Sequence, residues 1–212
     1  MSKKQLPIVS FILLGLNILA FIYESSEGET VTMLRYAMYE GALKNGEWLR
    51  VLTSAFFHFG WYHLACNMFC LISFGFTLER RIGPMKYLIV YVIAIVGSGL
   101  LINYTGGNGI HAGASGAIWG LMTATLVYNI RNKLSTYDAL RCILVNLIYS
   151  FSAGVSWQGH IGGGIAGLII ALIMFTSKNG SSGSNGRIDN GGNQYNGNIS
   201  EDQQSGSTEY WS

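Results

Sequence analysis

Charge is what this sequence has least of: 11% of its 212 residues are Asp, Glu, Lys or Arg, against about 25% in an ordinary soluble domain. Half of the residues are apolar. The mean hydropathy of +0.32 is moderate only because those residues are clustered and polar ends dilute them. A window of about 19 residues finds candidate spans over roughly 7–23, 61–78, 87–104, 114–130, 140–156 and 160–176. Each has about 15–18 residues, short for a transmembrane helix but enough for a thin or thinned bilayer. The fifth carries Arg141 near its start. The expected fold is all-α: a polytopic membrane protein with a bundle of six transmembrane helices.

Other absences narrow the reading. No small-x-small cleavage site follows the first span, where the chain reads "YESSEGE", so that span is expected to be retained rather than removed as a signal. Cysteine is scarce, and Cys66, Cys70 and Cys142 all fall within spans. Cys66 and Cys70 are four apart on a helix, too distant for an easy bridge, so no disulfide framework is implied. No internal repeat and no path of ionisable residues is found, which argues against a small transporter. His58 and His111 read as interfacial; with no acidic or thiolate ligand at a recognisable spacing, no metal and no cofactor is expected.

The few basic residues are distributed unevenly. Lys3 and Lys4, then Arg80, Arg81 and Lys86, then Arg131, Lys133 and Arg141, then Lys178 fall in alternate loops, whereas the other loops hold only Arg35, Lys44 and Arg50. The excess of cations on one side predicts cytoplasmic termini, with spans two, four and six running from outside to inside. Residues 24–60 mix Trp48, Phe56, Phe57 and Phe59 with charges and read as an outer interfacial loop. Trp48, Trp61, Tyr62, Tyr104 and Trp157 fit an aromatic belt. From Ser177 the chain turns to Gly, Ser and Asn, which cannot offset its ordering entropy. The expected organisation is a membrane domain over 1–176 and a disordered cytoplasmic tail over 177–212.

Polar side chains within such spans are costly and therefore informative. His63 and Asn67 lie on the second span, Ser115 opens the fourth and His160 opens the sixth. From His63 to Arg80, Ser115 to Arg131 and His160 to Lys178 the rise is roughly 24 to 27 Å at 1.5 Å per residue. The three polar groups thus sit at one depth, below the outer edge of the lipid core. Singly, each has a plain explanation. "GASG" at a helix start is a packing device, His160 a hydrogen-bonded histidine, and His63 with Asn67 an interhelical clamp. At a shared depth they compose acyl-transfer chemistry, with Ser115 as nucleophile and His160 as general base. No acidic residue can reach His160, so a Ser–His dyad is expected, with the imidazole oriented by packing on Trp119 one turn beyond Ser115. Oxyanion donors would come from the Ser115 N–H at the helix start and from His63 and Asn67, which share a helix face. Gly113 and Gly116 permit a tight turn and a close approach. Gly163 and Gly167 form a close-packing stripe expected to press span six onto span four.

The stretches "GEWLRVLTSAFFHFGWYHLACNMFCLISFGFTLERRIG", "GASGAIWGL" and "GHIGGGIAGL" together resemble the rhomboid family of intramembrane serine proteases, over about residues 41–172. The resemblance implies Ser115 as nucleophile, His160 as base, and His63, Asn67 and the Ser115 N–H as the oxyanion hole. It also implies a six-helix core, a lateral substrate entrance near helix five and a mobile cap before helix six. Glu79, followed by Arg80 and Gly83, matches the family's glutamate at the inner end of helix two. Two positions depart from the family pattern: an adjacent Trp-Arg pair appears here as Trp48-Leu49-Arg50, and Trp119 stands where Tyr or Phe is commoner. The expected activity is hydrolysis of a peptide bond in or near a transmembrane segment of another protein. The alternative is an inactive rhomboid-like protein that binds or escorts membrane clients. Expected partners are transmembrane protein substrates and the lipid bilayer, with no nucleic acid; oligomeric state is left unassigned. The expected location is a bacterial-type cell membrane, with the site open to the external side.

Overall fold

The computed structural model describes residues 6–150 and 155–175, with the side chain of residue 149 excepted; Lys3, Lys4, Lys178 and the tail expected over 177–212 lie outside the described residues. The fold is helical. Its elements are α1 (Ile8–Glu27), α2 (Glu29–Tyr36), β1 (Met38–Tyr39), α3 (Arg50–Thr53), α4 (Gly60–Cys70), a π-helical turn (Leu71–Gly75), α5 (Phe76–Ile82), α6 (Pro84–Thr105), β2 (Ile110–His111), α7 (Ser115–Arg131), α8 (Tyr137–Ser150) and α9 (Trp157–Met174). Among the described residues, four stretches are long and apolar enough to cross a membrane: Ile8–Glu27, Gly60–Ile82, Pro84–Thr105 and Trp157–Met174. The remaining two expected spans correspond to α7, of 17 residues, and α8, of 14. Both are short for a full crossing, which takes about 20 residues.

α7 is buried on nearly every face from Gly116 to Val127, as a helix enclosed by others must be. α6 and α9 flank it, and the closeness of the three has a plain cause. A Cβ placed on Gly163 would collide with the Gly116 backbone, and one on Gly167 with the Gly120 backbone. α7 and α9 therefore meet backbone to backbone along two matched glycine pairs, the stripe expected from the sequence. Gly97 of α6 meets Gly162 in the same way, its absent Cβ lying 2.7 Å from the Gly162 oxygen. Away from this seam, Phe11, Leu19, Phe69, Val145, Ile148 and Ile169 point outward. Such apolar surface is stable against acyl chains and not against water.

The charged end of the bundle is tied by a buried carboxylate. Glu79 is 1% exposed and takes three donors from the start of α1: the Val9 N–H at 2.9 Å, the Ser10 N–H at 2.8 Å and the Ser10 hydroxyl at 2.7 Å. A helix leaves its first N–H groups without intrahelical acceptors, and an anion there also suits the helix dipole. Glu79 thus caps a helix some 70 positions away in sequence. Arg81 closes the same end by donating to Asn129 at 2.7 Å, whose amide donates to the Ser135 carbonyl at 2.8 Å.

The connection after α1 differs from the expected loop over 24–60. α1 continues to Glu27, and Glu24 is buried within the molecule. β1 pairs antiparallel with β2, Met38 opposite His111 and Tyr39 opposite Ile110, so a purely all-α description is corrected by one short ladder. Arg50 holds the segment closed: its guanidinium donates to the carbonyls of Ala37 and Leu34, each at 2.8 Å, and to the Glu47 carboxylate. Trp48 is 64% exposed and takes no part in the clamp.

Candidate active site

Ser115 is the first residue of α7, and the turn before it is held from two sides. Gly113 adopts φ +127°, and a side chain there would run into the His63 imidazole, 2.7 Å from its Cε1. The Gly113 N–H donates to the Ser54 carbonyl at 2.8 Å, and the Ala114 N–H donates to His58 Nε2 at 3.3 Å. His58, expected at the interface, is instead wholly buried. Its own N–H donates to Glu24 at 3.1 Å. Because Nε2 must accept from Ala114, the ring proton sits on Nδ1, which donates to the Phe56 carbonyl at 3.2 Å. A rigid chain thus runs from Glu24 through His58 to the residue before Ser115.

Burial, with His63 close by, pushes the His58 imidazole down from its ordinary 6.5 to about 3. The ring is neutral in the folded protein, and the unfolded chain binds the extra proton. The stability that His58 contributes is therefore complete above about pH 6.5 and is lost as the pH falls toward 3. His58→Phe keeps a ring but removes both nitrogens. The buried Ala114 N–H then lacks its acceptor, at a cost of about 1–3 kcal/mol. Thermal unfolding in detergent should show a lowered midpoint and a shallower loss of stability below pH 6.5; an unchanged midpoint would mean that the anchor carries no weight.

His160 enters from the first turn of α9, where the Ser156 hydroxyl caps the helix by accepting from the Gly159 N–H at 3.3 Å. Its Nε2 lies 2.9 Å from Ser115 Oγ. Its ring stacks on Trp119 at 5.7 Å between centroids and 24° between planes, as the spacing predicts. Its Nδ1 meets a group that sequence reasoning missed, the Ser150 hydroxyl of α8 at 2.6 Å. Packing alone does not orient the ring. Among the described residues no carboxylate meets His160.

The candidate oxyanion donors lie on the other flank. His63 sits against Gly113, two residues before the serine, with the His58 ring edge-on at 5.1 Å. Asn67 is buried, and its amide donates to the His63 carbonyl at 2.9 Å, which uses one of its two amide hydrogens. The Ser115 N–H is among those that an α-helix leaves without an intrahelical acceptor. A cavity of about 20 Å³ adjoins the serine, lined in part by Ser54, Ser98, Ser115 and Ser156. That is polar space for one water. Of the other predicted residues, Gly116 lines the same cavity and the rest serve the scaffold. Gly116, Gly163 and Gly167 set the helix spacing, Glu79 lies about 24 Å further along from His63 at 1.5 Å per residue, and Trp48 and Arg50 belong to the connecting segment.

Residues 45–177 match the Rhomboid domain, more than half of the chain. The protein belongs to the rhomboid family. It is similar to the rhomboid protease GluP of Bacillus subtilis (strain 168), 32% identical over 187 residues that cover 84% of this chain and 37% of that protein. The putative rhomboid protease YdcA of the same organism is 29% identical over 185 residues, 81% of this chain and 90% of that one. The rhomboid protease AarA of Providencia stuartii is 28% identical over 194 residues, 74% of this chain and 69% of that one. The chain thus spans most of the length of YdcA and little more than a third of GluP. Membership of the rhomboid family, with the four long apolar helices, makes this an integral multi-pass membrane protein.

Proposed function

We propose that this rhomboid is an intramembrane serine endopeptidase acting on transmembrane protein substrates within the bilayer. The observation that carries the reading is the 2.9 Å contact between Ser115 Oγ and His160 Nε2, made by residues from different helices, with Ser115 also lining a water-sized cavity. Ser115 Oγ attacks the scissile carbonyl carbon while His160 Nε2 takes the hydroxyl proton. The negative charge that develops on the carbonyl oxygen is met by the Ser115 N–H with His63 and Asn67. His160 then returns its proton to the leaving amine, and water, activated by the same imidazole, hydrolyses the acyl-enzyme. A helical substrate shields its carbonyls in hydrogen bonds, so segments weakened by Gly or Pro are the preferred ones. An inactive escort would have no use for a nucleophile and a base in contact, and no observation favours it. α7 and α8 complete a six-helix domain over 1–176, with both termini cytoplasmic and the site facing the external side of a bacterial-type membrane.

The test is covalent. A serine-directed fluorophosphonate should label the detergent-solubilised protein once per chain, and Ser115→Ala should abolish the label. Equal labelling of the alanine variant would remove Ser115 as nucleophile.

A further inference from the structure

The expected dyad leaves one question open: what decides which nitrogen of His160 carries the proton. A neutral imidazole has one N–H and one lone pair, and only the form with the lone pair on Nε2 can act on Ser115. We propose that Ser150 is a positioning residue, a neutral third member that holds His160 as its Nδ1–H tautomer and fixes the rotation of the ring. The proposal rests on the reading of Ser115 and His160 as nucleophile and base.

The available protons decide the tautomer. The Ser150 hydroxyl is 1% exposed and donates to the Asn146 carbonyl at 2.7 Å, back across one turn of its own helix. A serine has one proton to give. With that proton on Asn146, the 2.6 Å contact to His160 Nδ1 requires the imidazole to be the donor. Nδ1 then holds hydrogen and Nε2 holds a lone pair, 2.9 Å from Ser115 Oγ. The hydrogen bonds run in one direction, from Ser115 to His160 to Ser150 to the Asn146 carbonyl. The opposite tautomer would turn the Ser150 proton away from Asn146 and aim an N–H at the nucleophile, leaving Ser115 with no base. Trp119 fixes the plane of the ring but is indifferent to which nitrogen points at the serine. Ser150 is not.

The groups around the imidazole make this division of labour plain. Among the described residues, Ser115 and Trp119 face it from α7 and Ser150 from α8. A serine carries no charge, so it can select a tautomer and an orientation without drawing the proton from the imidazolium. Ser150 therefore affects the rate through His160 and touches no reacting atom.

The experiment uses the full-length protein in proteoliposomes with a synthetic transmembrane substrate. Ser150→Ala should lower kcat about 5- to 150-fold, the range set by leaving a buried donor without its acceptor, with KM within about twofold of the parent. Ser150→Thr, which restores a hydroxyl, should recover most of kcat. In ¹⁵N-histidine-labelled protein the His160 ring, assigned by its loss in His160→Ala, should give the Nδ1–H signature, and Ser150→Ala should mix or reverse it. If Ser150→Ala fails to fold, the parent's spectrum and the Thr variant still decide. A kcat within twofold of the parent in a folded Ser150→Ala, or an Nε2–H signature in the parent, overturns the proposal and leaves the dyad standing. An active His160→Ala overturns both.

Discussion

His160→Ala is expected to lower kcat for a transmembrane substrate by at least about 10³-fold, at the upper part of the range for a positioned general base. The hydroxyl of Ser115 is a poor nucleophile until a neighbour takes its proton, and the contact available for that is the 2.9 Å one to Nε2. In the proposed mechanism the same nitrogen later protonates the leaving amine, so its loss would affect two steps. Members of such a unit are not additive: removing one costs nearly as much as removing all. The double variant Ser115→Ala/His160→Ala should therefore be scarcely slower than either single one. Single-turnover kinetics on a labelled substrate measures both, and a His160→Ala protein that keeps a tenth of the parental rate would end the dyad reading. Fluorophosphonate labelling should fall in parallel, since it needs the same activated oxygen.

The candidate site was more legible in the sequence than the scaffold that holds it. Ser115, His63 and His160 stand out because a polar group in an apolar span is rare, and helical rise then places them at one depth. Ser150 carried the same signal, a hydroxyl within the fifth span, but that helix runs the other way. It joins the site only through a contact that no spacing rule encodes. His58 hid for a different reason. Among Phe56, Phe57, Phe59 and Trp61 a histidine looks interfacial, and only its bonds to Glu24, Phe56 and Ala114 reveal a buried strut. Glu79 was placed by resemblance, yet its physical task, capping the start of α1, depends on a partner some 70 residues distant. In the connecting segment the Trp48 side chain is exposed while Arg50 clamps. A guanidinium with five donors can gather several carbonyls, whereas an indole offers one.

Gly163→Val should cost both stability and rate, and the reason is geometric. The space where a Gly163 Cβ would lie is filled by the Gly116 carbonyl and Cα. Backbone cannot rotate away as a side chain can, so α9 must separate from α7 to admit the isopropyl group. Overpacking of this kind costs about 1–3 kcal/mol, which should lower the thermal midpoint by several degrees. The effect on rate should be larger than the stability loss alone predicts. Gly116 is the neighbour of Ser115, and Gly163 lies one turn beyond His160 on α9, so the two pairs move together. Forcing the glycines apart lengthens the Oγ–Nε2 contact, and a misplacement near 1 Å can cost about 10²-fold. Gly164→Ala is the control. A Cβ there meets Trp119 at 3.5 Å and Thr123 at 3.7 Å, ordinary van der Waals distances, so its midpoint and kcat should stay close to the parent's. Thermal unfolding in detergent, run beside the cleavage assay, separates the outcomes. If Gly163→Val matched Gly164→Ala in both measurements, the backbone-to-backbone seam between α7 and α9 would not be what sets the distance from serine to histidine.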